Sequence, residues 1–420
     1  MPVASKEKKR VMDFCKYPSL IEVPDLLEMQ RASYEEFLQR DVPPEKREYK
    51  GLEAVFRDVF PVESYNEKMS LEYVEYRFAE PRYSMEKCEE EELTYAIPLY
   101  VKLRLNKKET GEVIEQEVYL GDIPLMNERG SFIINGTEKI VVNQIQRTPG
   151  VFFEETTATS GEGKASYRAR IIPERGNWLD LELKDGLLYM RINRGRRFLG
   201  TLFLRALGAS PEDVLNQIDS PQDREILRRS FEQDGASSTR DALLKIYHQL
   251  RPGRPPVFES VKEVFERTFL NPRYYNLDKI GRFQINQELG LNTGWDCMVL
   301  RLEDMVGVVR SLLKINREAV ELESMDHLAY RRVRRIGDLL TEQIRIGLAH
   351  LSRIVQQRMS IQSPETITPR SLVNTKALRG AIESFFHTGQ LSQYLDQTNP
   401  LAELTHKRRL SALGPGGLSR

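Results

Sequence analysis

At 420 residues the chain is too long for one ordinary hydrophobic core, which calls for two or three domains. Lys plus Arg equals Asp plus Glu at 62 each, so no global positive field steers a polyanion and any nucleic-acid contact must rest on local patches. Hydrophobic residues at 40% and charged residues at 30% describe a globular protein, and three scattered cysteines (Cys15, Cys88, Cys297) form neither a disulfide framework nor a zinc pattern, which fits a reducing cytoplasm.

The N-terminus is basic without an apolar core of signal length, and no run approaches the ~20 apolar residues of a membrane span. Asp25 after Pro24, with Glu28 three residues on, predicts a capping box opening a helix over 25–40. Leu27, Gln30, Tyr34, Phe37 and Leu38 follow helical spacing, and Pro43-Pro44 prevents continuation. A shorter helix over 51–60 ends at Pro61. From about residue 70 the period changes to two. Val74, Tyr76 and Phe78 alternate with charge, as do Leu99, Val101, Leu103 and Leu105, and a turn over 106–111 returns the chain through a strand near 112–120. Strands near 131–134 and 139–144 flank the tight-turn dipeptide Asn135-Gly136. The acidic run Glu89–Glu92 reads as a solvated loop between strands, since charge runs usually face water.

After Pro149-Gly150 the composition loosens through 154–163, as at a domain boundary. Leu179, Leu181 and Leu183 then alternate, Lys184-Asp185-Gly186 turns the chain, and Leu188, Met190 and Ile192 alternate back, with Arg191, Arg194, Arg196 and Arg197 on or just after the return strand. Residues 199–325 read as mostly helical, with helix starts signalled at Ser210, Ser220 and Ser260 and the strongest helix over 303–316. From Arg331 to Arg358 there are seven arginines against Asp338 and Glu342, a local basic patch on and before a long amphipathic helix carrying Leu340, Ile344, Leu348, Leu351 and Val355 inward. The last stretch combines amides and hydroxyls with Lys407-Arg408-Arg409 and the leucines 391, 395, 401, 404, 410 and 413. It reads as a packed wall presenting polar groups, and phosphate-binding cations, to something anionic.

Several chemistries find no residues to carry them. There is no P-loop, no His-Glu-x-x-His, no Gly-x-Ser-x-Gly elbow and no compact carboxylate array for a metal. His406 beside the cations could transfer a proton or make a polar or structural hydrogen bond, and the absence of an evident partner favours the latter. Trp178, after Arg175-Gly176-Asn177, could stack on a base or begin a strand in the core, the second being the commoner role.

The segment SQYLDQTNPLAELTHKRRLSALGPGGLSR closely resembles the start of the fork region of the bacterial RNA polymerase β subunit family. Other stretches are similar in the same order: Glu80-Pro81, LTYAIPL from Leu93, GDIPLM from Gly121, GSFIINGTEKIVVNQIQRTPGVFF from Gly130, RGNWLD from Arg175, LRPG from Leu250, and Asp326-His327-Leu328 with Arg331–Arg334. The resemblance spans residues 20 to 420 or nearly so. It implies a multidomain α+β fold: a mixed sheet-and-helix protrusion (1–145 and 326–385) with an inserted lobe domain (146–325), then the start of the fork (386–420), cut off inside it, in a family more than twice as long.

Carried over residue by residue, the resemblance implies a rifampicin-pocket and RNA-proximal set of Gln144, Leu391, Ser392, Gln393, Tyr394, Asp396, His406, Arg409, Ser411, Leu413 and Arg420. It implies a DNA-binding, nontemplate-strand set of Arg147, Trp178, Asp326, Arg331 and Leu418, with the Arg331–Arg335 cluster near the fork in space. Tyr394 stands where the family commonly has Phe, Thr398 where Asn is usual and Asn193 where Asp is common. The implied function is DNA-templated RNA synthesis as the N-terminal part of a nucleotidyltransferase subunit, with no catalytic residue and no metal ligand in this chain and Mg2+ expected on the partner β′ subunit. The implied partners are the core subunits α, β′ and ω, a sigma factor, DNA and nascent RNA, in the cytoplasm and away from membrane. The alternative is a free-standing nucleic-acid or transcription-factor-binding module built from the same domains.

Overall fold

The alternation over 96–124 becomes an antiparallel pair, Ala96–Lys107 against Glu112–Pro124, in a computed structural model that describes residues 24–108, 111–156, 166–193, 195–253, 255–318, 322, 324–362 and 366–418. By contacts between residues the chain divides into two units. One takes residues up to Asn143 together with Arg335–Ser411; the other takes Gln144–Arg334 and the residues from Ala412. The expected α+β class holds in both.

In the first unit a four-stranded antiparallel sheet runs Val62–Glu63, Met69–Phe78, Ala96–Lys107, Glu112–Pro124. Leu71, Tyr76, Leu99, Val101, Leu103, Leu105, Val118 and Leu120 are buried in its core. The core also takes the apolar stripes of Glu28–Leu38, Gly51–Val59, Ile336–Ile361 and Lys376–Thr388. The opposite sheet face is a ladder of ion pairs: Arg77–Glu117, Lys102 with Glu75 and Glu115, Arg104–Glu115. Each fully buried Leu, Val or Phe contributes roughly 1.5–3 kcal/mol, whereas an exposed pair gives about 0–1 kcal/mol. The apolar face therefore holds the sheet, and the ladder adds register specificity. Gly337 is required where two helices touch, because a Cβ there would lie 2.4 Å from the Ser33 carbonyl oxygen.

Two local expectations for this unit are corrected. The first helix begins at Glu28, because Asp25 Oδ1 accepts the Leu27 N–H at 3.0 Å and closes the preceding turn instead of capping the helix. The acidic run is not all loop: Ser84 caps a short helix, Met85–Glu90, that takes in Glu89 and Glu90, while all four glutamates remain exposed.

In the second unit a five-stranded antiparallel sheet runs Phe198–Leu199, Leu187–Ile192, Leu179–Lys184, Ser166–Ile172, Gly150–Thr156. Its core residues join those of the helices Gly200–Ala206, Thr239–Leu250, Phe258–Phe265 and Leu302–Glu318. Ser210 caps its helix as expected, accepting the Asp213 N–H at 3.1 Å. Ser220 makes no capping bond, and Ser260 lies inside a helix that starts at Phe258, one residue after Pro255-Pro256, which cannot be helix interior. The fully buried Arg282 and Asp304 pair at 2.7 Å, and Arg282 also donates to the Cys297 carbonyl at 2.7 Å. A short ladder joins the strand Asn143–Arg147 to Arg331–Arg334, Arg331 opposite Arg147 and Arg334 opposite Gln144.

Candidate nucleic-acid interface

In the first unit the strand Ser392–Tyr394 pairs with Thr137–Val141, Gln393 opposite Ile140 and Tyr394 opposite Lys139. Leu391, 3% exposed, fixes its start through a 2.8 Å bond from the Val142 N–H to its carbonyl. Asn399 then caps the helix Pro400–Lys407, accepting the Ala402 N–H at 2.8 Å with Pro400 in the first turn. That helix brings His406 back beneath the strand. His406 Nδ1 accepts the Asp396 N–H at 3.1 Å, which leaves the proton on Nε2 to be donated to Gln393 Oε1 at 3.0 Å. Arg409 Nη1 reaches the same amide oxygen at 3.5 Å. His406 is thus a neutral structural link among Asp396, Gln393 and Arg409. Burial first, and Arg409 second, hold its pKa below the usual value, against a smaller opposing effect of Asp396. The Thr398 hydroxyl and N–H hold the Asp396 carboxyl below the usual range.

The run of three cations does not form one phosphate-binding row. Lys407, 2% exposed, pairs with Glu403, Arg408 donates to the Leu26 carbonyl at 2.7 Å, and Arg409 alone of the three reaches the Gln393 amide. Three consecutive residues leaving a helix end point in different directions, so adjacency in sequence is not adjacency in space. The leucines do not form a packed wall either: Leu391 is buried, but Leu401, Leu410 and Leu413 are 71%, 45% and 45% exposed. Ser411 is half-buried on the short strand Leu410–Ser411.

Lys139 and Gln30, to which the sequence assigned no site role, complete this cluster. The buried Lys139 ammonium donates to the Phe386 carbonyl at 3.0 Å and lies 4.8 Å from the centroid of the exposed Tyr394 ring. Gln30 Nε2 donates to the Lys407 carbonyl at 2.9 Å. Nothing in the local patterning marks either contact, because each partner lies more than 240 residues away in the chain.

In the second unit Gln144, fully buried, donates from Nε2 to the carbonyls of Leu413 (2.8 Å) and Pro415 (3.1 Å) and so holds the closing turn. Leu418 is half-buried, and Arg420 lies outside the described residues, as does Arg194. Asp326 Oδ1 accepts from both Arg147 Nη2 and Arg331 Nη2 at 3.2 Å, bringing three of the expected DNA-binding residues together. Trp178 is 41% exposed and precedes the strand Leu179–Lys184, so it is not a core residue. Asn193 sets its backbone: Oδ1 accepts the Trp178 N–H at 2.8 Å, and Nδ2 donates to Asn177 Oδ1 at 2.8 Å. Asn193 has φ +51°, a conformation Asn tolerates well.

The arginines over 331–358 are mostly neutralised. Arg331 meets Asp326 and Arg332 meets Glu174 in the second unit, while Arg335 meets Glu36 and Arg345 meets Asp58 in the first. Four of the seven arginines are thus ion-paired, three of them with residues remote in the chain. Among the described residues no group of three or more His, Cys, Asp or Glu could hold a metal ion, and no helix is long and apolar enough to cross a membrane.

A family model described as RNA polymerase beta subunit matches residues 25–379, and one described as RNA polymerase Rpb2, domain 3, matches residues 393–420. The chain belongs to the RNA polymerase β subunit family. It is 41% identical to the DNA-directed RNA polymerase subunit beta of Syntrophomonas wolfei over 95% of this chain and 35% of that protein. It is 37% identical to the corresponding subunit of Geotalea daltonii and 36% to that of Geobacter metallireducens, each over 97% of this chain and 39% of the relative. The chain thus spans somewhat more than a third of the length of the curated relatives it matches. Membership in the β subunit family disfavours the free-standing module, and it covers both the hydrogen-bonded cluster around His406 and the carboxylate shared by Arg147 and Arg331.

Proposed function

We propose that this chain is the N-terminal part of the β subunit of a bacterial DNA-directed RNA polymerase, acting in DNA-templated RNA synthesis without catalysing it alone. The observation that carries the reading is the cluster in which Gln393, Asp396 and Arg409 are tied together through the neutral imidazole of His406. A site that positions a nucleic-acid chain needs rigid polar groups more than it needs a reactive one. The RNA-proximal and rifampicin-binding role belongs to Leu391, Ser392, Gln393, Tyr394, Asp396, His406, Arg409 and Ser411 in the first unit, and the resemblance assigns the same role to Gln144, Leu413 and Arg420. Arg147, Trp178, Asp326, Arg331 and Leu418 take the nontemplate strand. The chemistry and its Mg2+ belong to the partner β′ subunit, and the assembly includes α, ω and a sigma factor in the cytoplasm.

Reconstitution tests this. A full-length subunit carrying His406→Ala, Gln393→Ala or Ser411→Leu is assembled with its partners, and run-off transcription is titrated with rifampicin. The reading expects transcription to persist at rifampicin concentrations that stop the unsubstituted enzyme. Unchanged sensitivity in all three variants would refute the pocket assignment.

A further inference from the structure

Among the described residues the arginines of the second unit divide between those that pair with a carboxylate and those that do not. Arg168, Arg170, Arg332 and Arg205 pair with Glu182, Asp180, Glu174 and Asp234. Arg267 and Arg273 are exposed and make no ion pair among the described residues. Tyr274, next to Arg273 in the chain and 45% exposed, has the Arg267 guanidinium 4.4 Å from its ring centroid.

This is a rigid turn. The Asn271 carbonyl accepts the N–H groups of Tyr274 (3.0 Å) and Tyr275 (2.9 Å), and Asn271 Oδ1 accepts the Arg273 N–H at 2.9 Å. Tyr275 is fully buried, so the turn is anchored by one tyrosine and displays the other. The turn abuts the segment that carries Trp178. Arg175 and Asn276 exchange backbone hydrogen bonds at 3.0 and 2.8 Å. Gly176, at φ +127°, lies so close that a Cβ would sit 2.7 Å from the Tyr275 ring and 3.2 Å from the Tyr274 carbonyl oxygen. Two residues further on is the exposed indole of Trp178, with the Arg170 guanidinium 5.8 Å from its ring.

Two outward aromatic rings on abutting turns, with unneutralised guanidiniums beside one of them, are the parts that single-stranded nucleic acid requires: ring faces for unpaired bases and cations for the phosphates between them. A duplex hides its base faces and would gain only the cation contacts. We infer that the turn Asn271–Tyr275 extends the Trp178 surface into a track for unpaired nucleotides, Tyr274 stacking on a base and Arg267 and Arg273 taking the flanking phosphates. The inference rests on the reading that Trp178 meets DNA, and its test separates the two.

The test measures binding of the 420-residue chain to fluorescent oligo-dT by anisotropy across a salt series, with thermal melts confirming that each variant is folded. Tyr274→Ala is expected to weaken binding about tenfold and Tyr274→Phe to leave it unchanged, since stacking needs the ring and not the hydroxyl. Arg267→Ala and Arg273→Ala are each expected to weaken binding and to lower the salt slope by roughly 0.7. Trp178→Ala runs in parallel. If Trp178→Ala weakens binding while Tyr274 and both arginines can be replaced without effect, the extension is overturned and Trp178 keeps its role. Loss at Tyr274 without loss at Trp178 removes the Trp178 reading and keeps the turn. Equal competition by duplex, or no binding of oligo-dT by the wild-type chain, overturns the inference outright.

Discussion

The side-chain amide of Gln284 makes both of the backbone hydrogen bonds that a neighbouring strand would make to Val151. The Val151 N–H donates to Gln284 Oε1 at 2.6 Å, and Gln284 Nε2 donates to the Val151 carbonyl at 2.7 Å. Gly150–Thr156 is the edge of the five-stranded sheet, and the helix Asp278–Leu289 supplies this one amide where an added strand would otherwise dock.

Replacing Gln284 therefore reopens the edge. Gln284→Leu is expected to cost about 1–3 kcal/mol, the range for leaving partly buried polar groups unpaired. Gln284→Glu keeps the acceptor for the Val151 N–H but loses the donor, and should fall between Leu and wild type. Urea unfolding followed by far-UV circular dichroism gives the order, which a purely steric role for Gln284 would not produce.

The Arg282–Asp304 pair makes a sharper demand. Both side chains are fully buried, so Asp304→Ala leaves a guanidinium in the core without its counter-charge and should destabilise the second unit by about 3–5 kcal/mol. Arg282→Met combined with Asp304→Leu removes both charges and is expected to recover most of that loss. A double-mutant cycle in urea checks it; equal losses in the single and double variants would contradict the account.

Much of this architecture could be read from residue order, and the limits follow from range. The alternation of Leu99, Val101, Leu103 and Leu105 and the stripe from Leu340 to Val355 lie within one element each, so local period reveals them. The ladder of Arg331–Arg334 on Gln144–Arg147 joins residues more than 180 apart, and a four-residue strand with three arginines carries no apolar alternation to announce it. The same distance hid Glu36 and Asp58 from Arg335 and Arg345, making paired charges look like a bare patch. At the candidate site the composition of the 391–411 segment was informative, but which groups touch was not: the link from His406 to Gln393 depends on how the helix Pro400–Lys407 folds back.

His406 gives the first unit a pH-dependent stability with a definite sign. Its folded pKa lies below the ordinary value, chiefly through burial and then through Arg409. The unfolded chain therefore takes up a proton first as pH falls. The contribution is complete above about pH 6.5 and is lost progressively as pH drops from there toward the depressed folded value. Urea midpoints at pH 7.5 and 5.5 should show wild type losing more stability than His406→Asn, and an equal loss in both would exclude His406 as the source. Asp396, also depressed, acts in a separate window at lower pH.

Gly176 tests how firmly Trp178 is placed. Gly176→Ala meets both a left-handed backbone at φ +127° and a Cβ 2.7 Å from the Tyr275 ring, and should cost at least about 1–3 kcal/mol. The Trp178 fluorescence maximum, separated from Trp295 by a Trp295→Phe background, should shift with the displaced backbone. No shift together with unchanged stability would show that the segment yields easily.

The interrupted first unit also sets an order of events during synthesis. Its sheet, complete by Pro124, buries its apolar face against Ile336–Ile361 and Lys376–Thr388. A ribosome adding about 5–20 residues per second needs roughly 12–50 seconds to pass from Asn143 to Phe385. Through that interval the newborn sheet waits half-made with Leu71, Val101 and Leu103 lacking those two helices, while the second unit's main segment is completed at Arg334 before the first unit can close. Slow codons or scarce chaperone within that stretch would harm the first unit before the second.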